Sequence, residues 1–242
     1  MLDTITTNER GIATSKPLPL QVVGIREVQA PEHYLLNGKV FWAEIKKHGD
    51  VVKFVVENAN EEIGVDVKKF GNIEAMPGDT IRYDFSDIRN ESNVPLDNFY
   101  WRDILPTDAV TLRTISTGTW NEELKYTIYY KTNLVSEERA LAERLSTSTN
   151  NTIDCSASAV KLKAGEVITE IRFDFGTVQP GFEPLTNPYI TCLVHPDLPH
   201  EYRFKNCTDV GGERGDEWVI DKNCWVTVIY AVPKGKLPKT GN

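Results

Sequence analysis

The side chains in this sequence most able to form covalent bonds are four cysteines, Cys155, Cys192, Cys207 and Cys224, all in its second half. None belongs to a Cys-x-x-Cys pair, the spacing that would suggest a zinc site or a redox dithiol. In an oxidising compartment they allow three disulfide connectivities; in a reducing one they would be buried thiols acting as small hydrophobes. "FKNCTDV" and "DKNCWVTV" both read as strand residues, which favours Cys207 with Cys224. The histidines offer no metal site: His195 and His200 flank the loop "PDLP", His33 and His48 lie in turns, and no carboxylate or thiol shares ligand spacing with them. G-x-S-x-G, P-loop and H-E-x-x-H signatures are absent, and the 35 Asp and Glu residues single out no glycosidase pair. The expectation is neither an enzyme nor a cofactor protein. Arg214-Gly215-Asp216 spells an integrin tripeptide inside "GGERGDEW", for which a tight turn is the simpler account. Trp120, Tyr100 and Trp101 could form a sugar-binding platform, or fill a core.

The elements that must position these groups are almost all strands. "DTIRYDFSDI" alternates Ile81, Tyr83 and Phe85 against Arg82, Asp84 and Ser86, as a half-buried strand does. "LKYTIYYKT", "VITEIRFDFGTV", "PYITCLVHP" and "WVTVIYAV" repeat the pattern, separated by Pro, Gly, Asn and Asp. "VFWAEIKKHGDVVKFVVEN" reads as a hairpin turning at His48-Gly49-Asp50. One segment argues for a helix: in "SEERALAERL" Ser136 stands as N-cap, Glu137 and Glu138 occupy the first turn, and Leu141 and Leu145 share a face. Many short strands at turn-punctuated intervals predict β-sandwiches.

Composition narrows the function. The net charge is −8, and basic residues are scattered singly or in pairs such as Lys46-Lys47 and Lys68-Lys69, which excludes the clustered stripe that nucleic acid requires. No run approaches the roughly 18 apolar residues of a membrane span. No charged and then apolar leader begins at Met1, so a secretion signal would lie upstream. A boundary between Glu61 and Gly64 separates a short first unit, without an opening strand of its own, from a longer second one.

"GIATSKPLPLQVVGIREVQAPEHYLLN", Gly11 to Asn37, resembles the C-terminal half of a collagen-adhesin B-type domain, the prealbumin-like module of Gram-positive surface proteins and pilins. Glu27 stands for the strand glutamate of that pattern, and Ala30, Pro31, Tyr34 and Leu35 fill its "APxGYxL" part. Gln21 replaces a turn glycine and His33 the glycine before Tyr34. In the family a buried acid promotes an isopeptide bond between a lysine of the first strand and an asparagine of the last. The resemblance implies Glu27 as proton shuttle and Asn58 as acceptor, with the donor lysine before residue 1. Without it, Glu27 reads as a strand residue facing solvent.

The remainder resembles a larger immunoglobulin-like module of bacterial surface stalks. "PGDTIRYDF" matches an opening strand, "SNVPLDNFYWRDILP" carries Asp103, Leu105 and Pro106 of a "DxLP" stretch, and "FKNCTDVGG" is similar to a late "xNxAxV" strand. Carried over, this makes Lys69 or Lys68 the donor, Asn206 the acceptor and Asp103 the assisting acid; the plain alternative is strand-start charges and turn residues. "LPKTG", Leu237, Pro238, Lys239, Thr240 and Gly241, resembles the sorting signal that sortase cuts between Thr and Gly before joining the protein to peptidoglycan. The expectation is an all-β protein with prealbumin-like and immunoglobulin-like β-sandwiches in tandem and one short helix in an insertion. Residues 1–62 form a partial B-type domain, 63–232 a stalk domain, and 233–242 a spacer with the motif. Such a chain is the extracellular, cell-wall-anchored stalk of an adhesin or pilin-like protein. The rival is a module that itself binds a carbohydrate or a host matrix protein.

Overall fold

A computed structural model describes residues 2–231, and the chain divides into two compact units, residues 1–61 and 62–242. Residues 237–241, the "LPKTG" motif, lie outside the described residues.

Unit one holds a two-stranded antiparallel ribbon, β1 (Val22–Arg26) and β2 (Val40–Glu44), in register from Val22↔Glu44 to Arg26↔Val40. Trp42 lies across Gly24, where an added Cβ would meet the indole at 3.0 Å. The turn after β2 is the expected one: Gly49 has φ +92, and Asp50 accepts from the Lys46 and Lys47 amides at 3.1 and 3.0 Å. The hairpin is not. Residues 51–59 form no ladder with β2, whose partner is β1, because alternation and turn chemistry specify a strand and a reversal but not which strand pairs. Residues 57–61 instead run beside 33–37, with Leu35 N donating to Ala59 O and Glu61 N to His33 O, each at 2.8 Å. Val23 is the one buried hydrophobic among this unit's described residues, and Trp42, Val51 and Val55 are exposed.

Unit two contains β3 (Val65–Gly71), β4 (Glu74–Ala75), β5 (Thr80–Asn90), β6 (Leu96–Ile104), β7 (Val110–Ser116), β8 (Thr119–Trp120), β9 (Lys125–Thr132), β10 (Arg139–Ser146), β11 (Thr152–Asp154), helix α1 (Ala157–Val160), β12 (Ile168–Val178), β13 (Pro184–Thr186), β14 (Tyr189–Val194), β15 (Arg203–Arg214) and β16 (Glu217–Ile229). They build a seven-stranded sheet, β10-β9-β12-β6-β15-β16-β4, and a five-stranded sheet, β11-β7-β14-β5-β3, with β13-β8 as a short pair. The sheets bury their inner faces in one core. Trp101 of β6 meets Phe85 of β5 edge-on at 4.5 Å and Phe173 of β12 at 4.4 Å, and its Nε1 donates to Thr208 Oγ1 at 2.7 Å. Trp120 stacks on Phe182 at 5.1 Å. Trp101 and Trp120 are therefore core residues and form no sugar platform; Tyr100, half-buried, faces the other side of β6. The sequence is all-β, as its alternation predicts.

The helix expected over Ser136–Leu145 is a strand. Residues 139–146 form β10, at the edge of the larger sheet, paired with β9 through Arg139↔Tyr130 and Leu145↔Tyr126 with two bulges between. An isolated helix of this length is marginal in water, so the hydrogen bonds and partial burial offered by β9 override its propensity. The short helix is α1, capped by Ser156, whose side chain accepts from Ala159 N.

Glu166 pins the start of β10. Its carboxylate pairs with Arg139 and accepts from Thr132 Oγ1 at 2.9 Å and from Lys163 N at 2.8 Å. The Lys163 amide first, then Thr132 and Arg139, hold its carboxyl down to about 2. A depressed folded value stabilises the fold above the ordinary glutamate value of 4.5, and that stability is lost as pH falls from there toward about 2. Thermal melts across this window should fall less steeply for Glu166→Gln than for wild type; parallel curves would contradict the assignment.

Candidate functional site

Alternation along three strands carries three polar side chains into the core of unit two. In β3, Val65, Val67 and Lys69 face inward while Asp66 and Lys68 face out. In β6, Phe99, Trp101 and Asp103 face inward; in β15, Phe204, Asn206 and Thr208 do. Lys69 and Asp103 side chains are both 0% exposed. Lys69 Nζ contacts Asp103 Oδ1, and Asn206 Nδ2 donates to Asp103 Oδ2 at 3.2 Å. One carboxyl group thus touches both nitrogens, each through a different oxygen. Among the described residues Asn206 Oδ1, which is buried, has no hydrogen-bond partner, a loss that costs about 1–3 kcal/mol.

The rest of the pocket is apolar. The lysine amine lies 4.8 Å from the Tyr83 ring centroid and 4.5 Å from that of Phe85. Gly71, at the end of β3, leaves room for Tyr83: an added Cβ would stand 2.5 Å from its ring. The Cys192 thiol, fully buried, lies within electrostatic reach of Lys69 and Asp103. Desolvation pulls the Lys69 amine below the usual lysine range against the attraction of Asp103, and pushes the Asp103 carboxyl above the usual carboxylate range against Lys69. Both shifts favour the same state, a neutral amine beside a neutral acid, because burying two separate ions costs several kcal/mol each.

Strand β3 is held in place from outside its own sheet. Val67 N donates to Asp221 Oδ2 at 3.1 Å and Lys69 N to Asn223 Oδ1 at 3.3 Å, while Trp225 Nε1 and Thr227 Oγ1 donate to Asn72 O at 3.2 and 2.7 Å. Alternate side chains of β16 thereby close the open edge of β3, a task that no local motif announces. Tyr83 and Phe85 were legible as inward-facing from the β5 alternation; that they flank Lys69 was not.

Lys68 lies outside this cluster. It is half-exposed and pairs with Asp87 at 2.7 Å and Asp66 at 3.8 Å. In unit one, Glu27 Oε1 accepts from Asn58 Nδ2 at 2.8 Å and Glu27 Oε2 from Asn37 N at 2.7 Å. Glu27 is thus half-buried and hydrogen-bonded rather than solvated, and among the described residues it has no salt-bridge partner. Cys207 and Cys224 face each other across β15 and β16 and are joined by a disulfide, with Cα atoms 4.1 Å apart; Cys155 and Cys192 are buried thiols. Arg214 ends β15 and Gly215-Asp216 form the turn to β16, with Gly215 at φ +62. Among the described residues no group of His, Cys, Asp and Glu could hold a metal ion, and no helix is long and apolar enough to cross a membrane.

Residues 1–60 match the family model of SpaA, a prealbumin-like fold domain. No curated protein matches the chain. Among solved structures it is similar to BcpA, the major pilin subunit of Bacillus cereus, at 13% identity and a TM-score of 0.35, covering 92% of this chain and 63% of that one. The chain thus spans less than two thirds of that pilin. It is also similar to AggA, the major subunit of aggregative adherence fimbriae type I of Escherichia coli, at 9% identity and a TM-score of 0.27, covering 72% and 97%. A third, AvmM, which catalyses macrocyclization in alchivemycin A biosynthesis, has 9% identity and a TM-score of 0.28, covering 74% and 94%. These similarities are too low to carry a function from any of the three.

Lys69→Met leaves the buried Asp103 carboxyl without its partner and should destabilise unit two by about 1–3 kcal/mol in urea unfolding. Lys68→Met should leave the unfolding midpoint where it is. Equal effects of the two substitutions would contradict the assignment of Lys69 as the buried member.

Proposed function

We propose that this chain is a structural stalk segment of an extracellular adhesin or pilin-like protein, with unit two cross-linked internally by an isopeptide bond between Lys69 and Asn206. The observation that carries this reading is the single buried carboxyl, Asp103, in contact with both nitrogens. A neutral Lys69 amine attacks the side-chain carbonyl carbon of Asn206. Asp103 takes the proton from Nζ on one oxygen and supplies a proton to Nδ2 from the other. The new Nζ–C bond forms, the C–Nδ2 bond breaks, and ammonia leaves. The apolar surround supports each step, since it disfavours the ammonium that could not attack and the carboxylate that could not donate. Asp103 regains its starting state and Asn206 becomes a secondary amide.

Such a bond ties β3 to β15, one strand from each sheet, so that neither sheet can shear from the other without breaking a covalent bond. This suits a segment that holds a binding domain away from a cell and resists extension and proteolysis. The prealbumin-like match of residues 1–60 and the Cys207–Cys224 disulfide, expected where thiols are oxidised, support an extracellular setting. Attachment to peptidoglycan by sortase at Thr240-Gly241 rests on the sequence motif alone. In unit one Glu27 and Asn58, the acid and acceptor that the family resemblance implies, are hydrogen-bonded to each other.

Intact mass under denaturing conditions tests the cross-link. The oxidised protein should fall short of its sequence mass by one ammonia and the two hydrogens of the disulfide. Lys69→Arg, Asn206→Ala and Asp103→Ala should each regain the ammonia deficit relative to their own sequences. A wild-type mass lacking only two hydrogens would overturn the proposal.

A further inference from the structure

We propose that the Cys207–Cys224 disulfide is a mechanical latch acting in series with the Lys69–Asn206 bond, so that tension crosses unit two by a covalent route that bypasses both residues 70–205 and the hairpin residues 208–223. The inference rests on the stalk reading above and concerns where load travels once that cross-link exists.

Asn206 and Cys207 are neighbours in β15, and neighbouring strand residues point to opposite faces. Asn206 is fully buried and faces Asp103, while Cys207 lies half-buried on the outer face beside Cys224. One strand position therefore directs its bond inward to the other sheet, and the next directs its bond sideways to β16. A load entering at Glu62 reaches Lys69 after a few residues and would pass to Asn206 through the side-chain amide, leaving 70–205 slack.

Beyond Asn206 the chain runs out to the turn at Gly215-Asp216 and returns along β16. Both loaded points, Asn206 and the chain leaving Ile229, then lie at the open end of one antiparallel hairpin. Its ladder bonds run across the strands, so pulling from the open end breaks them pair by pair instead of all together. Strand β15 is backed by β6 over six register positions, from Cys207↔Ile104 to Glu213↔Asp97. Beyond β16, among the described residues, lie β4, through Val228↔Glu74 and Ile229↔Ala75, and the side-chain bonds to β3 and Asn72. Strand β16 is the one that would peel. The loaded residue pairs as Asn206↔Trp225, and the next pair inward is Cys207↔Cys224. Peeling from the open end would begin at Arg203↔Val228, and the disulfide stops it at the fifth pair, Cys207↔Cys224.

Single-molecule extension of the full chain, tethered by its termini, tests this with and without dithiothreitol, which is oxidised to its cyclic disulfide as Cys207 and Cys224 become thiols. The oxidised protein should release no length from 70–205 or 208–223. Reduction should add about 55 Å, from a sequence separation of 17 at the reach of an extended chain less the 4.1 Å already spanned. Cys207→Ser with Cys224→Ser should show the same gain without reductant. If protein shown by mass to carry the Lys69–Asn206 bond gains no length on reduction, the latch is overturned while the cross-link stands. If the oxidised wild type releases residues 70–205, both the latch and the cross-link are overturned.

Discussion

The structure of unit two depends on a polar contact placed where water cannot reach: a lysine, an aspartic acid and an asparagine, all buried, meeting between two sheets. Full charges there would be costly, and the shifts of Lys69 and Asp103 both lower that cost by moving toward the neutral pair. The same desolvation that makes the cluster expensive makes the amine nucleophilic and the acid able to shuttle a proton. Burial of the cluster and its chemistry are therefore one constraint. The aromatic core around Trp101, Phe85 and Phe173, the edge of β3 closed by β16 side chains, and the space left by Gly71 all serve to hold that contact dry and in register.

The two units place similar groups in unlike surroundings. In unit one Glu27 reaches Asn58 and the Asn37 amide, yet it is only half-buried, and the unit buries a single hydrophobic residue among those described. In unit two the corresponding side chains meet inside an aromatic core, beside Tyr83 and Phe85.

Much of this was legible in the sequence, and the failures have physical reasons. The β5 alternation announced Ile81, Tyr83 and Phe85 as inward residues, and they are. The choice between Lys68 and Lys69 stayed open although Val65 and Val67 carried the signal: two residues on in the same alternation is Lys69. Ser136–Leu145 misled because its caps and spacing are helical locally, while the decisive partner, β9, lies across a pairing that no local pattern encodes. Trp101 and Trp120 had two readings until the second sheet was present to cover them. The bonds from Asp221 and Asn223 to β3 join residues 154 apart in the sequence, and no spacing rule reaches that far.

The central claim is that Lys69 and Asn206 become one side-chain amide. Peptide mapping of the denatured, reduced protein tests it most directly. The account predicts a branched tryptic species in which the Lys69 and Asn206 peptides are joined, with no cleavage after Lys69 and with fragment ions that place the junction on those two residues. Recovery of both peptides as separate linear species, with Lys69 cleaved and Asn206 intact, would contradict it.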